Sequence, residues 1–112
     1  MIMVQWSCDV PQEKVEGFLR FAKERLKPFF ESRGCRRYEL FTPMDSPKRY
    51  FSYQETPDTN RYTEQMVFDD VDDWDSFFES AEEDPEAREI LASYEREFNV
   101  TSCAFMILNE EI

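Results

Sequence analysis

One apolar stripe constrains this chain more than any other feature. Val15, Phe18, Leu19, Ala22, Leu26, Phe29 and Phe30 recur at three- and four-residue spacing between Pro11 and Arg33, which is the period of an amphipathic helix. Such a stripe must be buried against another layer. Strand-like runs at residues 2–8 and 35–41 flank it on either side, so the chain opens as β-α-β. Pro11 suits the first position of the helix, and Gly34 suits the left-handed residue just past its end. Pro28 has no amide hydrogen, so the helix should bend near Lys27 and then continue.

The rest of the chain extends this pattern. A turn-forming cluster at residues 42–48 leads to a short aromatic run at 50–54, a second loop at 56–60 and a stronger strand signal at 61–68. Asp69 and Asp70 form a helix cap before an apolar face of Val71, Trp74, Phe77, Phe78 and Ala81. Asp84-Pro85-Glu86 is a second helix start. It is followed by the stripe Ala87, Ile90, Leu91, Tyr94 and Phe98 and by a β-rich run at 100–108. The expected order is β-α-β-β-β-α-α-β, with four main strands and a fifth at 50–54, in one domain spanning 1–112. Right-handed crossovers then give an α+β, ferredoxin-like fold: an antiparallel sheet with helices on one face.

Charge and missing residue types exclude several functions. The net charge is −12, from 25 acidic and 13 basic residues, so the basic footprint of a nucleic-acid binder is absent and an anionic membrane surface would repel the chain. There is no histidine, which removes the commonest general base, metal ligand and proximal haem ligand together. Two glycines cannot build a phosphate-binding loop. The acidic run from Asp69 to Asp75 lacks the glycine and closing glutamate of an EF-hand and reads as a charged helix start. Cys8, Cys35 and Cys103 form no C-x-x-C pair and read as small apolar strand residues; an odd, unpaired set points to a reducing cytoplasm.

Two sets of residues carry chemistry. Glu39 and Glu64 each interrupt a strand-like run. Strand alternation groups Glu64 with Tyr62, Met66 and Phe68. Facing a pocket, Glu64 would have a raised pKa and serve as a base; otherwise these carboxylates pair with Arg36, Arg37 or Arg61. The second set is aromatic. Eleven Phe, five Tyr and two Trp exceed the needs of a minimal core. Trp6, Tyr38, Tyr53, Tyr62 and Trp74 either wall a cavity for a flat apolar ligand, with Gln5, Gln54 and Gln65 as polar contacts, or fill the core and a dimer seam.

Four segments, at residues 9–15, 34–41, 45–51 and 68–74, together with the element order, resemble the dimeric α+β barrel superfamily, and within it the antibiotic-biosynthesis-monooxygenase and NIPSNAP-like families. The resemblance implies a homodimer in which two sheets close a barrel. Among the activities it brings, those that need a catalytic or haem-binding histidine are closed to this chain. Oxygenation, lactone isomerisation and ligand sensing stay open, and the leading reading that the resemblance implies is a small cytoplasmic, cofactor-independent monooxygenase acting on a small aromatic or polyketide-like compound, with no metal and no cofactor. In that reading Glu64 is the catalytic base and Trp6, Tyr38 and Tyr62 wall the substrate site. The alternative is a non-catalytic ligand-binding or assembly module of the same fold, with a second copy of the chain and a small apolar or aromatic ligand as its partners.

Overall fold

A computed structural model describes residues Met1–Ile112. Four strands form one antiparallel sheet: β1 (Ile2–Asp9), β2 (Arg37–Phe41), β3 (Arg61–Phe68) and β4 (Thr101–Asn109), in the spatial order β2-β3-β1-β4. Four helices lie against one face: α1 (Val15–Phe21), α2 (Lys27–Glu31), α3 (Val71–Glu83) and α4 (Pro85–Phe98). This is the ferredoxin-like order, with both halves of the chain crossing over on the same side of the sheet.

The expected fifth strand does not form. Residues 50–54 make a turn instead, in which the Gln54 side chain accepts from the Tyr50 amide at 2.9 Å and the Gln54 amide donates to the Phe51 carbonyl at 3.1 Å. The segment has strand-forming residues, but it pairs with none of the four strands, and a strand needs a ladder partner.

The long first helix is built in pieces. A 3-10 turn at Gln12–Lys14 leads into α1, and a π-helical turn at Ala22–Leu26 separates α1 from α2. There the Lys27 amide reaches back five residues to the Ala22 carbonyl. Pro28 is the cause we assign: its ring crowds the carbonyl four residues earlier, and widening the preceding turn relieves that contact without ending the helix. Gly34 (φ +92°) then reverses the chain into β2. The two caps form as the sequence indicates, with Asp70 accepting from the Asp73 amide and Asp84 from the Glu86 amide, both at 2.9 Å.

Register decides which residues meet. Across the helix-facing side, Leu40, Glu64, Trp6 and Phe105 lie in one row, and Tyr38, Met66, Val4 and Ile107 in the next. The aromatic surplus is spent on this side: Phe18, Phe21, Phe29, Phe68, Phe77, Phe98, Tyr38, Tyr62 and Tyr94 all belong to one buried cluster. The opposite face has no helical cover. By alternation it presents Met3, Gln5, Ser7, Thr63, Gln65, Phe41, Ala104, Met106 and Leu108. Its charges come as two ion pairs, Arg37 with Glu39 and Arg61 with Asp9.

Candidate functional site

Glu64 is the one carboxylate in the buried set, at 5% exposure. Its place in the middle of β3, on the helix-facing side, puts it beneath the helical layer. Tyr38 sits opposite Met66, one diagonal step away, which is within reach for a long aromatic side chain. Its hydroxyl donates to Glu64 Oε1 at 2.6 Å, and the Tyr94 hydroxyl, from α4 above, approaches Oε2 at 3.4 Å. The Tyr94 oxygen is also 3.2 Å from Cys8 Sγ. With Tyr94 donating to Glu64, the Cys8 thiol is the donor to Tyr94.

No cation reaches this carboxylate. Arg61 is held by Asp9 and by the Ser102 carbonyl, Arg36 by Asp69, and Arg37 by Glu39. The ion-pair alternative therefore applies to Glu39 and not to Glu64. Burial pushes the Glu64 pKa from an ordinary 4.5 up to about 7, against the opposing pull of the hydrogen bonds from Tyr38 and Tyr94. Both tyrosines are pushed well above their usual range, by burial first and then by the neighbouring Glu64 carboxylate, so they remain hydrogen-bond donors at every physiological pH.

Glu64 faces an inner cavity of about 40 Å³ lined by Trp6, Leu26, Phe30, Met66, Leu91 and Tyr94. That is room for one or two small molecules the size of water. A larger cavity of about 280 Å³ lies outside it, bounded by Trp6, Leu91, Tyr94, Glu95, Val100 and Cys103. Trp6, Leu91 and Tyr94 border both and form the partition between them. Trp6 (37% exposed) and Leu91 (43%) are only half-covered. The Trp6 ring is 6.2 Å from Tyr94 and 6.3 Å from Phe105, the latter edge-on.

The four residues singled out from the sequence thus separate. Trp6 and Glu64 line the inner cavity, and Tyr38 holds Glu64 from behind without bordering it. Tyr62 packs 5.7 Å from Phe18 in the core and borders neither cavity. Gln54 lies in the exposed turn, and Gln5 and Gln65 are on the uncovered sheet face. Tyr94, Leu91 and Leu26 were hidden inside ordinary amphipathic stripes. A tyrosine on such a stripe was the available signal for Tyr94, because its buried hydroxyl needs a partner. No group of three His, Cys, Asp or Glu side chains is gathered to hold a metal ion, and no helix is long and apolar enough to cross a membrane.

The antiparallel sheet, the helices on one face and the acid enclosed between them define an α+β ferredoxin-like protein with an internal site. The chain belongs to the antibiotic biosynthesis monooxygenase family, whose model matches residues 1–90. Solved structures of the same fold are distant in sequence. A NIPSNAP domain protein from Burkholderia xenovorans shares 13% identity at a TM-score of 0.73, over 99% of this chain and 95% of that one. A Deinococcus radiodurans protein provisionally named an antibiotic biosynthesis monooxygenase shares 10% at 0.70, over 100% and 94%. A NIPSNAP family protein of unknown function from Agrobacterium tumefaciens shares 12% at 0.70, over 98% and 87%. No curated protein matches this chain.

Proposed function

We propose that this protein is a cofactor-independent monooxygenase in which Glu64 is the catalytic base. The observation that carries the reading is a buried carboxylate, free of any cation, with a pKa raised to about 7 and a wall on an apolar cavity. A base of that pKa is half ionised near neutrality and strong enough to take an acidic proton. The substrate class is a flat aromatic compound with an acidic ring C–H or hydroxyl, bound in the outer cavity against Trp6. Leu91 gives way so that the reacting edge enters the inner cavity. Glu64 removes the proton, and the electron-rich ring carbon adds dioxygen. Loss of water from the hydroperoxide leaves a carbonyl, so one oxygen atom stays on the ring and the other departs as water. Tyr38 and Tyr94 stabilise the carboxylate form by donating to it.

Oxygen uptake with an anthrone or quinol substrate tests this. Glu64→Gln should lower turnover by about 100-fold or more while binding persists. Turnover unchanged in that variant would overturn the assignment.

A second reading, a non-catalytic ligand-binding or assembly module, draws on the small inner cavity and on the fact that both Glu64 oxygens already have partners. It predicts a thermal shift with aromatic ligands and no oxygen uptake.

The working unit in either case is a homodimer joined through the uncovered sheet face. A folded monomer of this mass exposes about 6,500 Å², whereas this chain exposes 7713 Å². The slab is only 21 Å in its shortest dimension, one layer of sheet and one of helix. The two ion pairs leave the open face with no net charge, so the excess acid of a chain carrying −12 stays out of the seam and repels only at longer range.

A further inference from the structure

Cys8 and Cys103 are cross-strand neighbours beside an irregularity in the sheet: the register that pairs Trp6 with Phe105 and Ser7 with Ala104 carries on to Cys8 and Cys103. Ser7 pairs with Ala104 and Asp9 with Thr101, so two residues of β4, Ser102 and Cys103, oppose the single Cys8 of β1. This is a β-bulge, with Ser102 in the left-handed region (φ +53°), as at the first position of a G1-type bulge. Arg61 pins it, donating at 3.0 Å to Asp9 and at 2.7 Å to the Ser102 carbonyl. Opposed residues of antiparallel strands lie about 4.5–5.5 Å apart at Cα, inside the roughly 4.4–6.8 Å that a disulfide spans. Cys103 is exposed and lines the outer cavity beside Tyr94. Cys8 is buried, with its sulfur 3.2 Å from the Tyr94 oxygen, which in turn lies 3.4 Å from Glu64 Oε2.

We propose that Cys8 and Cys103 are a cross-strand dithiol that a hydroperoxide oxidises to a disulfide, with Tyr94 relaying the Cys8 proton to Glu64. The exposed Cys103 sulfur attacks a peroxide oxygen: an S–O bond forms, the O–O bond breaks, and water or an alcohol leaves. Cys8 then attacks the Cys103 sulfur, the S–S bond forms, and hydroxide is expelled. The Cys8 proton passes to the Tyr94 oxygen as Tyr94 passes its own to Glu64, and Glu64 returns a proton to the hydroxide as water. Two thiols lose two electrons, the peroxide gains them, and one water is released with the alcohol. The resolving thiol is buried and held above its usual pKa by that burial, so the relay is what makes the second step feasible. Cys35 has no part in it: it sits beside the far edge strand and donates to the Arg37 carbonyl at 3.2 Å.

The test is peptide mapping without reductant after exposure of the full chain to stoichiometric hydrogen peroxide. The expected product is an intrachain Cys8–Cys103 link, retained in Cys35→Ser and lost in Cys103→Ser. Tyr94→Phe should slow the link about tenfold while the Cys103 sulfenic acid, trapped with dimedone, accumulates. A link between two copies of Cys103, or over-oxidised Cys103 beside a free Cys8 thiol in the wild type, would overturn the dithiol. An unchanged rate in Tyr94→Phe would overturn the relay. None of these readouts depends on monooxygenase turnover, so the two proposals stand or fall separately.

Discussion

Replacing Glu64 by Gln separates the energetic cost of the buried acid from every other charge on the chain. The two side chains match in shape, and Gln Oε1 keeps the hydrogen bond from Tyr38. The folded protein holds a proton on Glu64 up to a pKa of about 7, whereas the free carboxyl ionises near 4.5. Between those values the native state binds more protons than the unfolded chain, so wild-type stability falls as pH rises. At about 1.36 kcal/mol per pH unit, the whole displacement amounts to about 3 kcal/mol, fully expressed above pH 7 and absent below pH 4.5. Glu64→Gln lacks this loss. Its stability relative to wild type should therefore grow by about 2 to 3 kcal/mol from pH 5 to pH 8.5, a large part of a typical folding free energy of about 5–15 kcal/mol. Urea unfolding at the two pH values reads the difference directly, with no change in the slope of free energy against urea. All other titrating groups are common to both proteins and cancel. A wild-type-to-variant difference that is the same at both pH values would refute the reasoning, because Glu64 would then titrate as an ordinary exposed acid.

Tyr38→Phe removes the short hydrogen bond that favours the carboxylate, so the Glu64 pKa should rise further above 7; carboxyl carbon NMR across pH checks this, and a fall would contradict it. Phe18 is fully buried and touches Tyr62, Tyr94 and Phe98, so Phe18→Ala should cost about 3–5 kcal/mol in urea unfolding. Leu91→Ala opens the partition between the two cavities at a cost of about 1 kcal/mol or less, since Leu91 is half-exposed; it should tighten binding of bulky apolar dyes, and fluorescence from Trp6 in a Trp74→Phe background reports it. If the proposed dimer forms through the open sheet face, Met106→Glu places a charge there and should leave a monomer in sedimentation velocity, whereas moderate sodium chloride should tighten wild-type association by screening its net charge.

Much of the architecture was legible from residue spacing. Helical stripes, strand alternation and the Asp70 and Asp84 caps are local properties, and local backbone sterics and side-chain hydrogen bonds enforce them wherever the chain goes. The turn at residues 50–54 was not legible in this way, because a strand exists only when a neighbour completes its ladder. Nor was the π-helical turn ahead of Pro28: a missing amide predicts a disturbance but not the route by which the helix absorbs it. Glu64 was identifiable as an acid interrupting an apolar run. Its freedom from arginine was not, since Arg36, Arg37 and Arg61 are all near in sequence or register and only the folded chain commits each to Asp69, Glu39 and Asp9. Tyr94 approaches Glu64 from a helix thirty residues downstream, and Cys103 is set opposite Cys8 by the register of two strands nearly a whole chain apart. Local sequence determines what each segment can become. Which polar groups meet depends on how the helical layer docks over the sheet and how two edge-paired strands register, and both are set by packing of the entire core.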